Sequence, residues 1–104
     1  MIVEERIYRI TSGKMKSYLH LVREEGLAIQ QPILGNLIGY FVTEIGPLSH
    51  VVHLWGYDSL DDRSRRRGLL AANEDWQAFT IRLSALIETM ENRILLPVNF
   101  SPLQ

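Results

Sequence analysis

The apolar positions of this chain change their period several times, and each change delimits an element. Ile2 to Ile10 interleaves β-branched and aromatic residues with polar ones, which predicts a strand. Thr11-Ser12-Gly13-Lys14 breaks that alternation, and Ser12 offers an N-cap for a helix starting near Lys14. Met15, Tyr18, Leu19, Val22, Gly26 and Ile29 then recur at three- and four-residue spacing, one apolar stripe that Pro32 and Gly35 close. Asn36 to Ile45 reads as a second strand, with Gly39 as a bulge or close-packing point. Gly46-Pro47-Leu48-Ser49 is turn chemistry, and His50 to Gly56 is a third strand, so the two strands form an antiparallel hairpin. Asp58, Ser59, Asp61 and Asp62 crowd the start of a helix, where carboxylates cap free N–H groups and suit the positive dipole end, and that helix runs to about Ala72. Asn73 caps a further helix, whose stripe is Trp76, Phe79, Leu83, Ile87 and Met90. Arg93 to Val98 remains as a short fourth strand, and Pro97 and Pro102 put it at a sheet edge or let it fray into a tail.

The order is therefore β-α-β-β-α-β with the second helical segment broken in two. The fold class is α+β, ferredoxin-like: a four-stranded antiparallel sheet with its helices on one face. Alternation puts Glu4, Arg6 and Tyr8 on one face of the first strand, and Val3, Glu5, Ile7 and Arg9 on the other. In the third strand Val51, His53 and Trp55 oppose Val52 and Leu54. Neither face is polar throughout, so both need cover, and one subunit has helices for only one of them. A second copy of the sheet, packed across a two-fold axis, supplies the other cover. The expected assembly is a homodimer, a dimeric α+β barrel.

Composition narrows the functional classes. With 104 residues, two separate cores would each be too small, so residues 1–104 are read as one domain. Eleven Lys and Arg against twelve Asp and Glu leave a net charge of -1, which argues against a nucleic-acid partner or a basic membrane-surface binder. The chain has no cysteine, which removes disulfides, thiolate metal sites and cysteine nucleophiles. No apolar run is long enough for a membrane span, and the first ten residues read as a strand, not a signal peptide; a cytoplasmic location is expected.

Few residue patterns carry chemistry. His50 and His53 lie three apart on a strand and so face opposite ways, and His20 sits on the first helix, so no metal site is expected. His53, between Val51 and Trp55, is either a general base or a hydrogen-bonded core histidine. Glu4, Arg6 and Tyr8 set a carboxylate, a guanidinium and a phenol in a row. This row is either a polar pocket inside the barrel that holds an anion, or a salt-bridge network that fixes register or dimer. Tyr40 and Glu44 share a strand face and can join either arrangement. The expected ligand contacts are Arg6, Tyr8, Tyr40, His53 and Trp55, with His53, Tyr8 and Arg6 the catalytic candidates. Arg63, Arg65, Arg66 and Arg67 form the one dense charge run; pairing of Asp61 with Arg65 and of Asp62 with Arg66 makes it a solvated helix face. No phosphate loop, nucleophile elbow or paired-carboxylate signature is present.

Several segments together resemble the NIPSNAP family, within the dimeric α+β barrel group. They are Glu4-Glu5-Arg6-Ile7-Tyr8, Thr43-Glu44-Ile45-Gly46-Pro47-Leu48, Val51-Val52-His53-Leu54-Trp55, Asp62-Arg63 through Arg67, Trp76-Gln77-Ala78-Phe79, and Glu91-Asn92-Arg93-Ile94-Leu95. Asn73-Glu74 departs from the pattern, standing where relatives often open the helix with proline. The resemblance implies the ferredoxin-like dimer and little about chemistry. The expectation is a binding or interaction protein for a small organic molecule, with no cofactor. The alternative is a cofactor-poor oxygenase or isomerase, or a haem protein with His53 as axial ligand, by analogy of fold alone.

Overall fold

The computed structural model describes residues 1–104. Strand β1 (Ile2–Ile10) lies inside a four-stranded antiparallel sheet, where β3 (His50–Tyr57) pairs on one side and β4 (Ile87–Leu95) on the other. Strand β2 (Asn36–Val42) pairs with the far side of β3, giving the order β2-β3-β1-β4. This is the ferredoxin-like α+β arrangement. The even-numbered residues of β1 face the helices: Ile2 packs with Leu34, Trp55, Tyr57 and Leu70, while Tyr8 and Ile10 pack with Tyr18, Val51, Phe79 and Leu83. The core is thus in two pieces, and the stretch of β1 between them carries Glu4 and Arg6.

The first helix starts near Lys14 as the sequence suggests, but without the Ser12 cap. Gly13, with φ of +80°, closes a turn in which the Lys14 N–H donates to the Thr11 carbonyl at 2.9 Å. Lys14 therefore takes the N-cap position of α1 (Met15–Leu21), with no side-chain cap, and Ser12 is left outside. A π-helical turn, Val22–Gly26, follows, and α2 (Leu27–Leu34) continues from it. Pro32 does not end this helix: it lies inside α2, which stops where Gly35 turns to a φ of +90°. Arg66 donates to the Ile33 carbonyl at 3.0 Å and so caps that end. Helix α3 (Leu60–Ala72) begins as expected, the Ser59 hydroxyl accepting from the Asp62 N–H at 3.1 Å. Asn73 likewise caps α4 (Glu74–Ser84), its side-chain oxygen accepting from the Trp76 N–H at 2.8 Å.

Three boundaries differ from the sequence reading, each for a nameable reason. The second strand stops at Val42 instead of Ile45, because Gly46 (φ +123°) and Ser49 (φ +62°) reverse the chain before β3. Glu44 is therefore exposed in a loop and shares no strand face with Tyr40. A register shift between Leu37 and Gly39, at the expected bulge, puts Leu37 on the same side as Tyr40. The largest difference is β4. Ile87 and Met90 belong to this strand and not to the last helix, and the strand starts six residues before Arg93 and ends at Leu95. Ile87 pairs with Ile10 and Met90 with Tyr8, and a register shift beside Ile10 keeps both on the helix side despite their spacing of three. The Thr11 N–H donates to the Leu86 carbonyl at 2.9 Å, tying the start of β4 to the end of β1.

The opposite sheet face has no helix over it. Val3, Ile7, Val52 and Leu54 lie on it, with the ion pairs Arg9–Glu88 and Arg93–Glu5 toward the β4 side. Phe41 on the same side is more than half exposed, and so are Ile45 and Leu48 at the hairpin tip and Leu96 and Phe100 beyond β4. No helix is long and apolar enough to cross a membrane.

Candidate functional site

Glu4 is fully buried in the gap between the two core pieces, where a lone carboxylate would cost several kcal/mol. Its Oε2 accepts three hydrogen bonds: from Arg6 at 3.0 Å, from Arg63 of α3 at 2.7 Å and from Asn92 of β4 at 2.7 Å. Burial pushes the carboxyl up, but the bonds from Arg63 and Asn92 and the charge of Arg6 outweigh it and hold the pKa at about 2. Arg6 also donates from Nε to the Tyr8 hydroxyl at 2.8 Å. The Glu4-Arg6-Tyr8 row is thus a connected network, and it joins two strands and a helix through one oxygen atom.

His53 stands opposite Arg6 on β3, with one per cent of its surface exposed. Its ring lies flat against Tyr40, with centroids 4.5 Å apart, and edge-on to Tyr8. The Trp55 indole N–H donates to His53 Nδ1 at 2.8 Å. A ring nitrogen that accepts is unprotonated, so the neutral imidazole carries its hydrogen on Nε2, and that atom has no partner. Burial first, then the charges of Arg6 and Arg67, bring the His53 pKa down to about 3. It is neutral at physiological pH. Tyr40 and Tyr18 hydrogen-bond through their hydroxyls, and burial raises the pKa of both phenols.

Arg6, Tyr8, Tyr18, Tyr40 and His53 line a cavity of about 200 Å³ between the sheet and the helices. The sequence reading places the polar row inside a barrel between two sheets; it lies instead on the helix-covered face of the sheet. The roof comes from Tyr18, Val22, Gly26 and Gln30, each four residues from the next. A straight α-helix would rotate such a row away from the sheet. The π turn accommodates more residues per turn and keeps the row aligned. Gly26 has a second role: a Cβ there would lie 2.8 Å from the buried Phe79 ring. Trp76, Phe79 and Leu83 close the side wall, and the exposed residues Ser84 and Met90 form the rim.

Of the expected contacts, Arg6, Tyr8, Tyr40 and His53 all line this cavity, whereas Trp55 stands behind His53 and orients it. The arginine run is only partly the solvated face it was read as. Arg65 and Arg66 pair with Asp62, at 2.9 and 3.0 Å, while Arg63 and Arg67 turn inward to Glu4 and the cavity. The pair of Asp61 with Arg65 does not form, because Asp62 takes Arg65. Arg63, Arg67 and buried Leu70 fall on one helical stripe, the signal in the sequence that identifies the inward arginines. Asn92 had no such signal, since its position follows from the register of β4. No three His, Asp or Glu side chains come together in a way that would hold a metal ion.

Similarity to known proteins agrees with this architecture. The NIPSNAP family profile matches residues 3–102. A NipSnap homolog from Dictyostelium discoideum is 34% identical over 95 residues, covering 91% of this chain and 42% of that protein. The chain thus spans less than half the length of that relative. A NIPSNAP family protein from Agrobacterium tumefaciens has a crystal structure that superposes with a TM-score of 0.98 at 74% identity, covering 99% of this chain and 98% of the other. An antibiotic biosynthesis monooxygenase superposes with a TM-score of 0.67 at 17% identity, over 94% of this chain and 99% of that one, a likeness of fold alone. On the family profile and these relatives together, the chain belongs to the NIPSNAP family.

Proposed function

We propose that the protein is a homodimeric, cytoplasmic binding protein for a small organic molecule, acting without catalysis. The observation that carries this reading is the cavity beneath the helices, walled by aromatic and aliphatic side chains, into whose lining a buried His53 N–H is set without a partner. Unpartnered buried donors are costly and rare, and a ligand acceptor is the natural complement. The dimer rests on the helix-free sheet face and on the exposed apolar side chains around it, Phe41, Ile45 and Phe100 among them.

The oxygenase or isomerase alternative asks His53 to take up a proton. Its one bare nitrogen, Nδ1, already receives the Trp55 N–H, and Nε2 carries the ring hydrogen. The same hydrogen blocks axial ligation of haem through Nε2, and a cavity of about 200 Å³ lies below the ~300–1,000 Å³ of sites for drug-sized ligands. Neither alternative is favoured.

Light scattering on a sizing column tests the assembly, and protein-observed NMR with a fragment mixture tests the cavity. The reading expects twice the 12.0 kDa chain mass and fragments that shift the Trp76 and Met90 signals. A monomer mass removes the dimer, and a cavity that takes no fragment at millimolar concentration removes the binding function.

A further inference from the structure

The cavity's polar groups are unbalanced. Three guanidiniums, Arg6, Arg63 and Arg67, surround the region, and one carboxylate, Glu4, answers them. Glu4 is shared between Arg6 and Arg63. Arg67, which lines the cavity, makes no ion pair, and its buried Nη1 has no hydrogen-bond partner. His53 Nε2 is also unpartnered. The tyrosine hydroxyls of Tyr18 and Tyr40 are engaged with each other. What the cavity leaves open is therefore a set of donors, the unpaired charge of Arg67 among them, in a region with two more positive charges than negative ones.

The rest of the wall sets the other half of the ligand. Val22, Trp76, Phe79, Leu83, Ile87 and Met90 are apolar, which excludes a bare inorganic anion as the best fit. The stacked rings of His53 and Tyr40, and the packed rings of Trp76 and Phe79, favour a flat aromatic body. A volume of about 200 Å³ limits that body to about one ring.

We infer that the cavity binds a small aromatic monocarboxylate, its two oxygens taken by Arg67 and the His53 Nε2–H and its ring held among the apolar side chains. This inference rests on the small-molecule reading above and names the ligand class. A carboxylate balances the charge of Arg67 and supplies two acceptors, and a guanidinium is the side chain suited to bind it. The charge of Arg67 also opposes protonation of His53, so the imidazole remains a single-proton donor toward that oxygen.

The test compares benzoate with benzamide, nearly the same in shape and differing in charge, by NMR titration of the intact protein. Wild type is expected to bind benzoate at least about tenfold more tightly, the factor carried by a charge-assisted hydrogen bond. Benzoate is expected to shift the His53 ring nitrogens and the Arg67 Nε, and Arg67→Gln to weaken benzoate binding at least about tenfold and so remove the preference. Equal affinity for the two probes in wild type overturns the acid class and leaves the cavity a binding site. Unchanged benzoate binding in Arg67→Gln overturns it too. Failure of benzoate alone, with other fragments binding, has the same meaning, whereas failure of every probe and fragment overturns the binding function itself. If Arg67→Gln does not fold, the wild-type comparison of the two probes decides alone.

Discussion

Replacing Glu4 with Gln removes one charge and keeps the shape, so it isolates what the buried carboxylate does. In the native protein three donors converge on its Oε2, two of them guanidiniums. Without that charge Arg6, Arg63 and Arg67 face one another across a region with no counter-ion. Removing one member of a buried ion pair costs about 3–5 kcal/mol. The pKa gives the same scale: a fall from 4.5 to about 2 corresponds to roughly 3 kcal/mol at about 1.4 kcal/mol per unit. For a domain of this size, Glu4→Gln should lower Tm by more than about 10 °C at equal protein concentration. The pH dependence supplies an independent check. The folded pKa is depressed, so the stabilisation from Glu4 is complete above the ordinary carboxylate range and is lost as pH falls from about 4.5 toward 2. Urea unfolding followed by circular dichroism across that range should show the acid loss in wild type and a smaller one in the variant. A change below about 1 kcal/mol, with the same acid profile in both proteins, would refute the account of the network.

Other perturbations have equally definite outcomes. His53 is depressed from 6.5 to about 3, so between those values the unfolded chain takes up a proton that the native one refuses; stability should fall with acid by up to about 1.4 kcal/mol per pH unit from His53 alone. Urea midpoints between about pH 6.5 and 5 should show a shallower slope in His53→Gln, and an unchanged slope counts against the buried neutral ring. Gly26→Ala should destabilise by about 1 kcal/mol, because the new methyl group meets the Phe79 ring and that overlap exceeds the gain in helix propensity. A raised Tm for this variant would show that the roof of the cavity is looser than its geometry implies.

Much of this was legible in the chain itself. The strand Ile2–Ile10, the caps at Ser59 and Asn73 and the antiparallel hairpin all follow from local chemistry, and the structure has them. Arg6, Tyr8, Tyr40 and His53 were grouped by alternation and do meet. The failures share a cause. Bulges in β2 and β4 place Leu37 with Tyr40, and Ile87 with Met90, on one side at a spacing of three, which in sequence is the mark of a helix. The π turn does the reverse, holding a four-residue row straight where an α-helix would twist it. Gly39 marks the β2 bulge, but local period cannot anticipate the β4 bulge or the π turn, because long-range pairing with β1 and packing on Phe79 impose them. The inward turn of Arg63 and Arg67 is different: the helical stripe shared with Leu70 encodes it, and the density of neighbouring charges obscures it.

The chemistry of the cavity turns on the protonation of one buried ring. Nitrogen-detected NMR of protein labelled at histidine, recorded at neutral pH, reads it directly. His53 should be a neutral imidazole with its hydrogen on Nε2 and a bare Nδ1 bonded to the Trp55 indole. A doubly protonated ring, or one with its hydrogen on Nδ1, would contradict it.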